Sequence, residues 1–303
     1  MHFLIIFNQS LLPLLLIVGT AVGYHHIFHP DIKQIANFSL NLFIPFLIFD
    51  ALTRHQTTFP VLIQPFLFMF LLTGIMILLG WLASKCFHLG EHDRTSMILS
   101  CSMVNIGNFG LPLIYFTYGQ EAVATSVLIF VVFNIPLSTL AIFLSSDKAT
   151  YRDMIADVFK IPIFYAMLLA LIFTSLGLSM PSGLSKGIHL MAQGAIPLII
   201  FVLGLQLADI SLTKNWISML GPILAVLIIR LLISPGVAHF ILQFLSFPPL
   251  DSKVALVQTS GPSALLPLMY AIRFHRSSQL LSAIILATTL ASGITLPILI
   301  SLL

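Results

Sequence analysis

Two stretches of this chain gather amides, hydroxyls, glycines and prolines inside otherwise apolar sequence: Asn105-Ile106-Gly107-Asn108-Phe109-Gly110-Leu111-Pro112-Leu113 and Gln258-Thr259-Ser260-Gly261-Pro262-Ser263-Ala264-Leu265-Leu266-Pro267. Both are hostile to a continuous helix. Pro112 has no N–H, and its ring clashes with the carbonyl of Asn108. Gly107 and Gly110 each weaken the helix by about 1 kcal/mol relative to alanine. Hydrocarbon tolerates unpaired backbone only where it is buried in protein or lines a wet cavity. A break there frees carbonyls as acceptors, and nearby amide side chains both donate and accept. The half-helix that begins after the break points its positive dipole end and free N–H groups inward, which suits an anion. This is the chemistry of binding rather than of bond making.

The residue four before each of several prolines is polar: Asn41 before Pro45, Asn108 before Pro112, Gln193 before Pro197, Gln258 before Pro262, Ser263 before Pro267. Those side chains either bind a solute or patch the kinks. Arg230 lies midway along an apolar run, where a charge is costly and is by default functional, unless its long side chain snorkels to an interface. The candidate substrate-binding set is therefore Asn105, Gly107, Asn108, Gly110, Pro112, Gln258, Gly261, Pro262, Ser263, Pro267 and Arg230, with Asn105 ranked above Asn108. Asp50, Asp209 and Asp251 fall near segment ends and read as interfacial, so no buried carboxylate relay is evident. His25, His26 and His29 cluster, and His88 and His92 flank Glu91, but no His-Glu-x-x-His sequence occurs and no metal site is expected. Cys86 and Cys101 have no paired spacing, which suggests neither a disulfide frame nor a ligand set. No nucleotide loop, nucleophile elbow or triad is visible, and no cofactor is expected.

The elements that must position these residues are membrane helices. A hydrophobic fraction of 58%, charged residues at 8% and a mean hydropathy of +1.07 exclude an ordinary soluble domain. The basic excess follows from topology and does not imply nucleic acid. Taking about 20 apolar residues per span, ten segments are predicted near 9–28, 32–53, 60–86, 95–118, 121–145, 161–178, 187–208, 215–245, 252–274 and 278–302. The N-terminus lacks a basic n-region and a small-residue cleavage site, so the first run is expected to be a retained helix.

Prolines recur at nearly constant offsets: Pro13 and Pro162 by 149, Pro30 and Pro181 by 151, Pro45 and Pro197 by 152, Pro112 and Pro267 by 155. The chain reads as two copies of a five-helix unit, 1–145 and 161–303, joined by a charged linker at 146–160. Nine Lys and Arg (Lys33, Lys85, Arg94, Lys148, Arg152, Lys160, Lys214, Arg273, Arg276) fall on one side and three (Arg54, Lys186, Lys253) on the other. The positive-inside rule then places the linker in the cytoplasm and both termini outside the cell membrane. An odd number of helices per copy makes the repeats inverted, the plan secondary transporters use for alternating access. The fold class is thus an all-α polytopic membrane protein, with helices four and nine broken where they cross.

Asn-x-Gly-x-x-Gly-Leu-Pro-Leu, here Asn105 to Leu113, resembles the fourth-helix crossover motif of the auxin efflux carrier family, prokaryotic branch. Val257-Gln258 with Pro262, Pro267 and Ala271 resembles the paired ninth-helix crossover; Gly204-Leu205-x-Leu207, Arg230 to Pro235 and Thr295-Leu296-Pro297 also fit. The resemblance spans the whole chain in order. It implies a scaffold of helices 1, 2, 6 and 7, a moving bundle of helices 3–5 and 8–10, and an elevator mechanism. It also implies a small organic anion held at the crossing and homodimerisation through the helix 2 and helix 7 scaffold. Plant members move auxin, and bacterial relatives are associated with malate and other carboxylates. Plant carriers have serine three residues after the second-helix proline, where this chain has Ile48, and a long cytoplasmic loop where this chain has about fifteen residues; both differences weigh against auxin and plant-type regulation.

The function this supports is a carrier of a small carboxylate. The alternative is a sodium-coupled symporter of the bile-acid-transporter type, which shares the architecture but brings acidic and amide sodium ligands to the crossing. An intramembrane enzyme would need a nucleophile and base or a metal within the bilayer, and mid-span groups here are neutral hydroxyls and amides. A channel would not need twofold inverted breaks around a closed site.

Overall fold

The computed structural model describes residues 2–145, 162–210, 219–268 and 278–303. The predicted linker at 146–160 and the basic residues Lys214, Arg273 and Arg276 lie outside them. The described chain is helical: α1 (Phe3–Phe28), α2 (Ile32–Arg54), α3 (Phe59–Cys86), α4 (Glu91–Ser102), α5 (Leu111–Tyr118), α6 (Val123–Ser145), α7 (Pro162–Ser175), α8 (Ser182–Ala208), α9 (Leu220–Leu242), α10 (Pro249–Thr259) and α11 (Ser278–Ser301). Six of these, α1, α2, α3, α8, α9 and α11, are long and apolar enough to cross a membrane. Their outer faces expose Leu16, Phe70, Leu190, Phe240 and Leu290, a surface suited to lipid rather than water. The protein is a polytopic helical membrane protein.

Prolines shape these helices through the backbone. Ahead of Pro13, Pro45, Pro112 and Pro235 the turn widens to a π-helix, at Phe7–Leu11, Ser39–Phe43, Ile106–Gly110 and Ile229–Ile233. The residue just before each proline donates its N–H five residues back, as Ile44 does to the Ser39 carbonyl and Ser234 to the Ile229 carbonyl. One extra residue in the turn thus re-registers the ladder where proline offers no donor. Pro197 and Pro297 instead sit inside continuous helices.

Helix α1 packs along α8, and α2 packs against α7 and α8. The α1–α8 contact is close because Gly204 has no side chain: a Cβ there would stand 2.6 Å from that of Ala21 and 2.7 Å from the Val18 carbonyl oxygen. Small residues allow such backbone approach in membranes. In the other group, α3 packs on α4 and α6, α9 on α10 and α11, α4 against α11, α6 against α10, and α3 against α9. The core runs through both groups, and its largest wholly buried side chain is Arg230.

Candidate functional site

Helix α4 stops at Ser102 because the chain turns extended at Met103 (φ −96°, ψ 107°). Helix α10 stops at Thr259, with Gly261 and Pro262 following. The two interruptions meet. Val104 and Ser263 form an antiparallel bridge, the Asn105 N–H donates to the Pro262 carbonyl at 2.8 Å, and the Ala264 N–H donates to the Met103 carbonyl at 2.8 Å. Backbone groups that helix termination would orphan are therefore paired across the crossing. Ser263 Oγ donates to the Ser100 carbonyl at 2.8 Å, and its N–H donates to Thr288 Oγ1 at 3.2 Å, tying the second break to α4 and α11.

Arg230, on the π turn of α9, is fully buried and does not snorkel. Its Nε donates to the Gly261 carbonyl (3.1 Å), its Nη1 to the Cys101 carbonyl (3.1 Å) and its Nη2 to the Thr259 carbonyl. The guanidinium thus sits where the C-terminal ends of α4 and α10 leave carbonyls without helical partners. A cation there complements both helix dipoles. Gln258, also wholly buried, donates Nε2 to the carbonyls of Ser126 (3.1 Å) and Ile106 (3.3 Å), clamping α6 and the first break together.

Beside the meeting point, the first turn of the half-helix that follows the first break and the stretch from Ala264 to Leu268 border a cavity of about 340 Å³. Its wall includes Asn105, Gly107, Asn108, Ala264 and Leu265, with Phe130 and Phe133 as its aromatic side. Asn105 is 7% exposed, and its Nδ2 has no acceptor among the described residues. The first-turn N–H groups of a helix have no intrahelical acceptor either, and Gly107 and Asn108 occupy that turn. Asn108 Nδ2 donates to Gln206 Oε1 at 3.2 Å, linking the crossover to α8. Asn37, Asn134 and Gln206 also line the cavity, and exposed Lys33 and Asp209 stand at its rim. Gly107 is required by packing: a Cβ there would lie 2.6 Å from the Phe130 ring.

Of the sequence-predicted residues, Asn105, Gly107 and Asn108 line this cavity. Gly110, Pro112, Gln258, Gly261, Pro262, Ser263, Pro267 and Arg230 are buried behind its wall. Sequence reasoning passed over Asn37, Asn134 and Gln206, although amides inside apolar segments were a signal that could have found them. Asp50, which the sequence reads as interfacial because it falls near a segment end, has a side chain only 6% exposed, with Arg54 Nε 2.7 Å from Oδ1 and His189 Nδ1 2.8 Å from Oδ2. The i, i+4 spacing to Arg54 was readable; the partner 139 positions away was not.

A multi-pass helical membrane protein whose two broken segments cross at a buried polar centre is, as a class, built like a solute transporter. The family model described as membrane transport protein matches residues 6–300, and the chain belongs to that family, the auxin efflux carrier family. It is 23% identical over 289 residues to an "uncharacterized transporter" of Methanocaldococcus jannaschii, covering 91% of this chain and 92% of that protein. It is 28% identical over 283 residues to an "uncharacterized transporter" of Methanothermobacter thermautotrophicus, covering 88% of each.

Proposed function

We propose that this protein is a secondary carrier that moves a small organic anion, a carboxylate, across the cell membrane by alternating access around the crossing of α4–α5 with α10. The observation that carries the reading is the Asn105 Nδ2, which has no acceptor among the described residues, in a cavity bordered by the first turn of the half-helix after the first break. That environment offers hydrogen-bond donors and a positive potential, with no competing carboxylate nearer than the rim among the described residues. A volume of about 340 Å³ suits a small acid with some of its water.

The carrier is built from two inverted five-helix repeats, residues 1–145 and 161–303, with 146–160 as the cytoplasmic linker. The pattern of helix contacts supports this. Exchanging α1 with α7, α2 with α8, α3 with α9, α4 with α10 and α6 with α11 maps the contact of α1 with α8 onto that of α7 with α2. It likewise maps α3 with α4 onto α9 with α10, and α4 with α11 onto α10 with α6. In this orientation both termini face outside, and the crossover cavity, with Lys33 at its rim, opens to the cytoplasm. Helices α1, α2, α7 and α8 form the fixed scaffold and its dimer contact, and the remaining helices move as an elevator bundle.

A sodium-coupled symporter is weighed down by Arg230, whose fixed charge already occupies the carbonyls of Cys101, Thr259 and Gly261. The experiment is uptake by purified protein in liposomes against a panel of mono- and dicarboxylates, with sodium present or replaced by potassium. Saturable, sodium-independent uptake of a carboxylate is expected. Uptake of no carboxylate in the panel sinks the reading, and uptake that requires sodium favours the symporter.

A further inference from the structure

A second polar cavity, of about 560 Å³, lies at the opposite ends of α2 and α8 from the crossover cavity and is not used by the site described above. Its polar lining comes from Asp50 and Arg54 on α2, His189 and Gln193 on α8, Tyr115 on α5, and Gln120. The offset of 152 that pairs Pro45 with Pro197 also pairs Asn37 with His189 and Arg54 with Gln206. Asn37 and Gln206 line the crossover cavity, while His189 and Arg54 line this one. At matched positions of the repeat, one cavity therefore has two neutral amides and the other an imidazole and a guanidinium.

The charges in the second cavity are arranged so that one proton decides their sum. The titratable and charged groups facing it, among the described residues, are Asp50, Arg54, Tyr115 and His189. The buried Asp50 carboxylate accepts from Arg54 Nε at 2.7 Å and from His189 Nδ1 at 2.8 Å. The other ring nitrogen, His189 Nε2, faces Gln193 Nε2 at 3.1 Å. That contact fits a neutral imidazole, with Nδ1–H donating to Asp50 and Nε2 accepting from the Gln193 amide. Arg54 and Asp50 then cancel. A proton taken at Nε2 turns that nitrogen into a donor, so the Gln193 amide must rotate to present Oε1. The cavity gains one net positive charge. Arg54 spends one of its five N–H donors on Asp50, and its side chain is 43% exposed, so it retains donors for a further anion.

We propose that this cavity is a binding station for a small carboxylate, taken up together with one proton on His189. The proposal rests on the carrier reading, which supplies the reason for a second station on the other side of the crossing. The proton comes from solvent on that side, sits on Nε2, and leaves with the anion when the station empties, so each anion is accompanied by one positive charge. Imidazole is the side chain suited to such a role because its charge changes between about pH 5 and 8.

The test is succinate binding to purified full-length protein by calorimetry at about pH 6 and about pH 8. Wild type is expected to bind about 10-fold or more tightly at the lower pH, since one unit charge acts within a partly buried site. His189→Gln, which keeps hydrogen-bonding reach but cannot gain charge, should bind equally at both, at the wild-type high-pH level. Arg54→Gln should bind about 10-fold more weakly at both. The titration of succinate itself is common to all three proteins, so differences between them report the site. Unfolding temperatures matching wild type show that the variants are folded. A pH dependence that survives in His189→Gln, or a wild type that binds no succinate at either pH, overturns the proposal. Asn105→Ala separates the two readings: it should weaken binding at the crossover cavity and leave the pH-dependent event at the second cavity as in wild type; if it changes nothing while His189→Gln flattens the profile, the crossover reading fails and this one stands.

Discussion

A Cβ placed on Gly110 would stand 2.8 Å from the Gln258 Cγ and 3.3 Å from the Gln258 carbonyl oxygen, so the first break touches the second at a position only glycine can occupy. Gln258 cannot swing aside at low cost, because its amide is held by the carbonyls of Ile106 and Ser126. Gly110→Ala is therefore expected to destabilise the protein by about 1–3 kcal/mol, the usual cost of overpacking a filled core. Gly74→Ala on α3, where a Cβ meets nothing within 4 Å, is the control and should be neutral or slightly stabilising. Thermal unfolding in detergent compares them. Equal unfolding temperatures for the two variants would show that the crossing is not tightly packed.

The glycines and prolines of both breaks were legible in the sequence because their effect is local: they disrupt a helix wherever they stand. What they disrupt it for was only half legible. Gly107 and Gly110 read as helix weakeners, whereas their structural reason is close approach, to Phe130 and Gln258, residues a linear reading cannot bring near. The π turns before Pro13, Pro45, Pro112 and Pro235 also escaped, since the sequence marks the proline but not how the backbone absorbs it. Arg230 was found by its cost, yet its partners lie 29, 31 and 129 positions away. Membership of the transporter family, by contrast, was readable from the Asn105 to Leu113 motif and its ninth-helix counterpart, and the family match confirms it.

Arg230 is predicted to act on stability before it acts on affinity. Its three bonds go to main-chain carbonyls, so removing the guanidinium strands buried acceptors at about 1–3 kcal/mol each. Arg230→Gln should lower the unfolding temperature strongly. Arg230→Lys should do so less, because an ammonium keeps the charge near the two helix ends but not the forked geometry. Substrate affinity measured on whatever fraction remains folded should stay close to wild type. A well-folded Arg230→Gln variant that has lost affinity would instead make Arg230 a direct ligand.

Topology yields a prediction at described positions. In a background where Cys86 is replaced by serine and buried Cys101 is left in place, a cysteine at Gln56, in the turn after α2, should react with an impermeant thiol reagent added to intact cells. A cysteine at Gly90, just before α4, should react only after permeabilisation. The positive-inside count places these turns on opposite sides of the membrane. The reverse labelling pattern would turn the protein over, and with it the assignment of the crossover cavity to the cytoplasm.

The last prediction concerns Asn105. Its Nδ2 is a buried donor without a partner among the described residues, so a bound carboxylate that accepts from it gains a hydrogen bond whose desolvation cost has already been met by folding. Removing it should cost about 1–3 kcal/mol of binding, and Asn105→Ala is expected to weaken carboxylate affinity by roughly 5- to 150-fold. Asn105→Asp should do more harm, because it sets a negative charge against the ligand at nearly constant shape, and like charges at close range in a partly buried site repel strongly. Neither change should disturb the crossing itself, since the Asn105 N–H that bonds the Pro262 carbonyl at 2.8 Å belongs to the backbone and survives both substitutions. Affinity measured on variants with wild-type unfolding temperatures decides the matter. Unchanged binding in Asn105→Ala together with unchanged binding in Asn105→Asp would mean that the anion does not rest at the crossing.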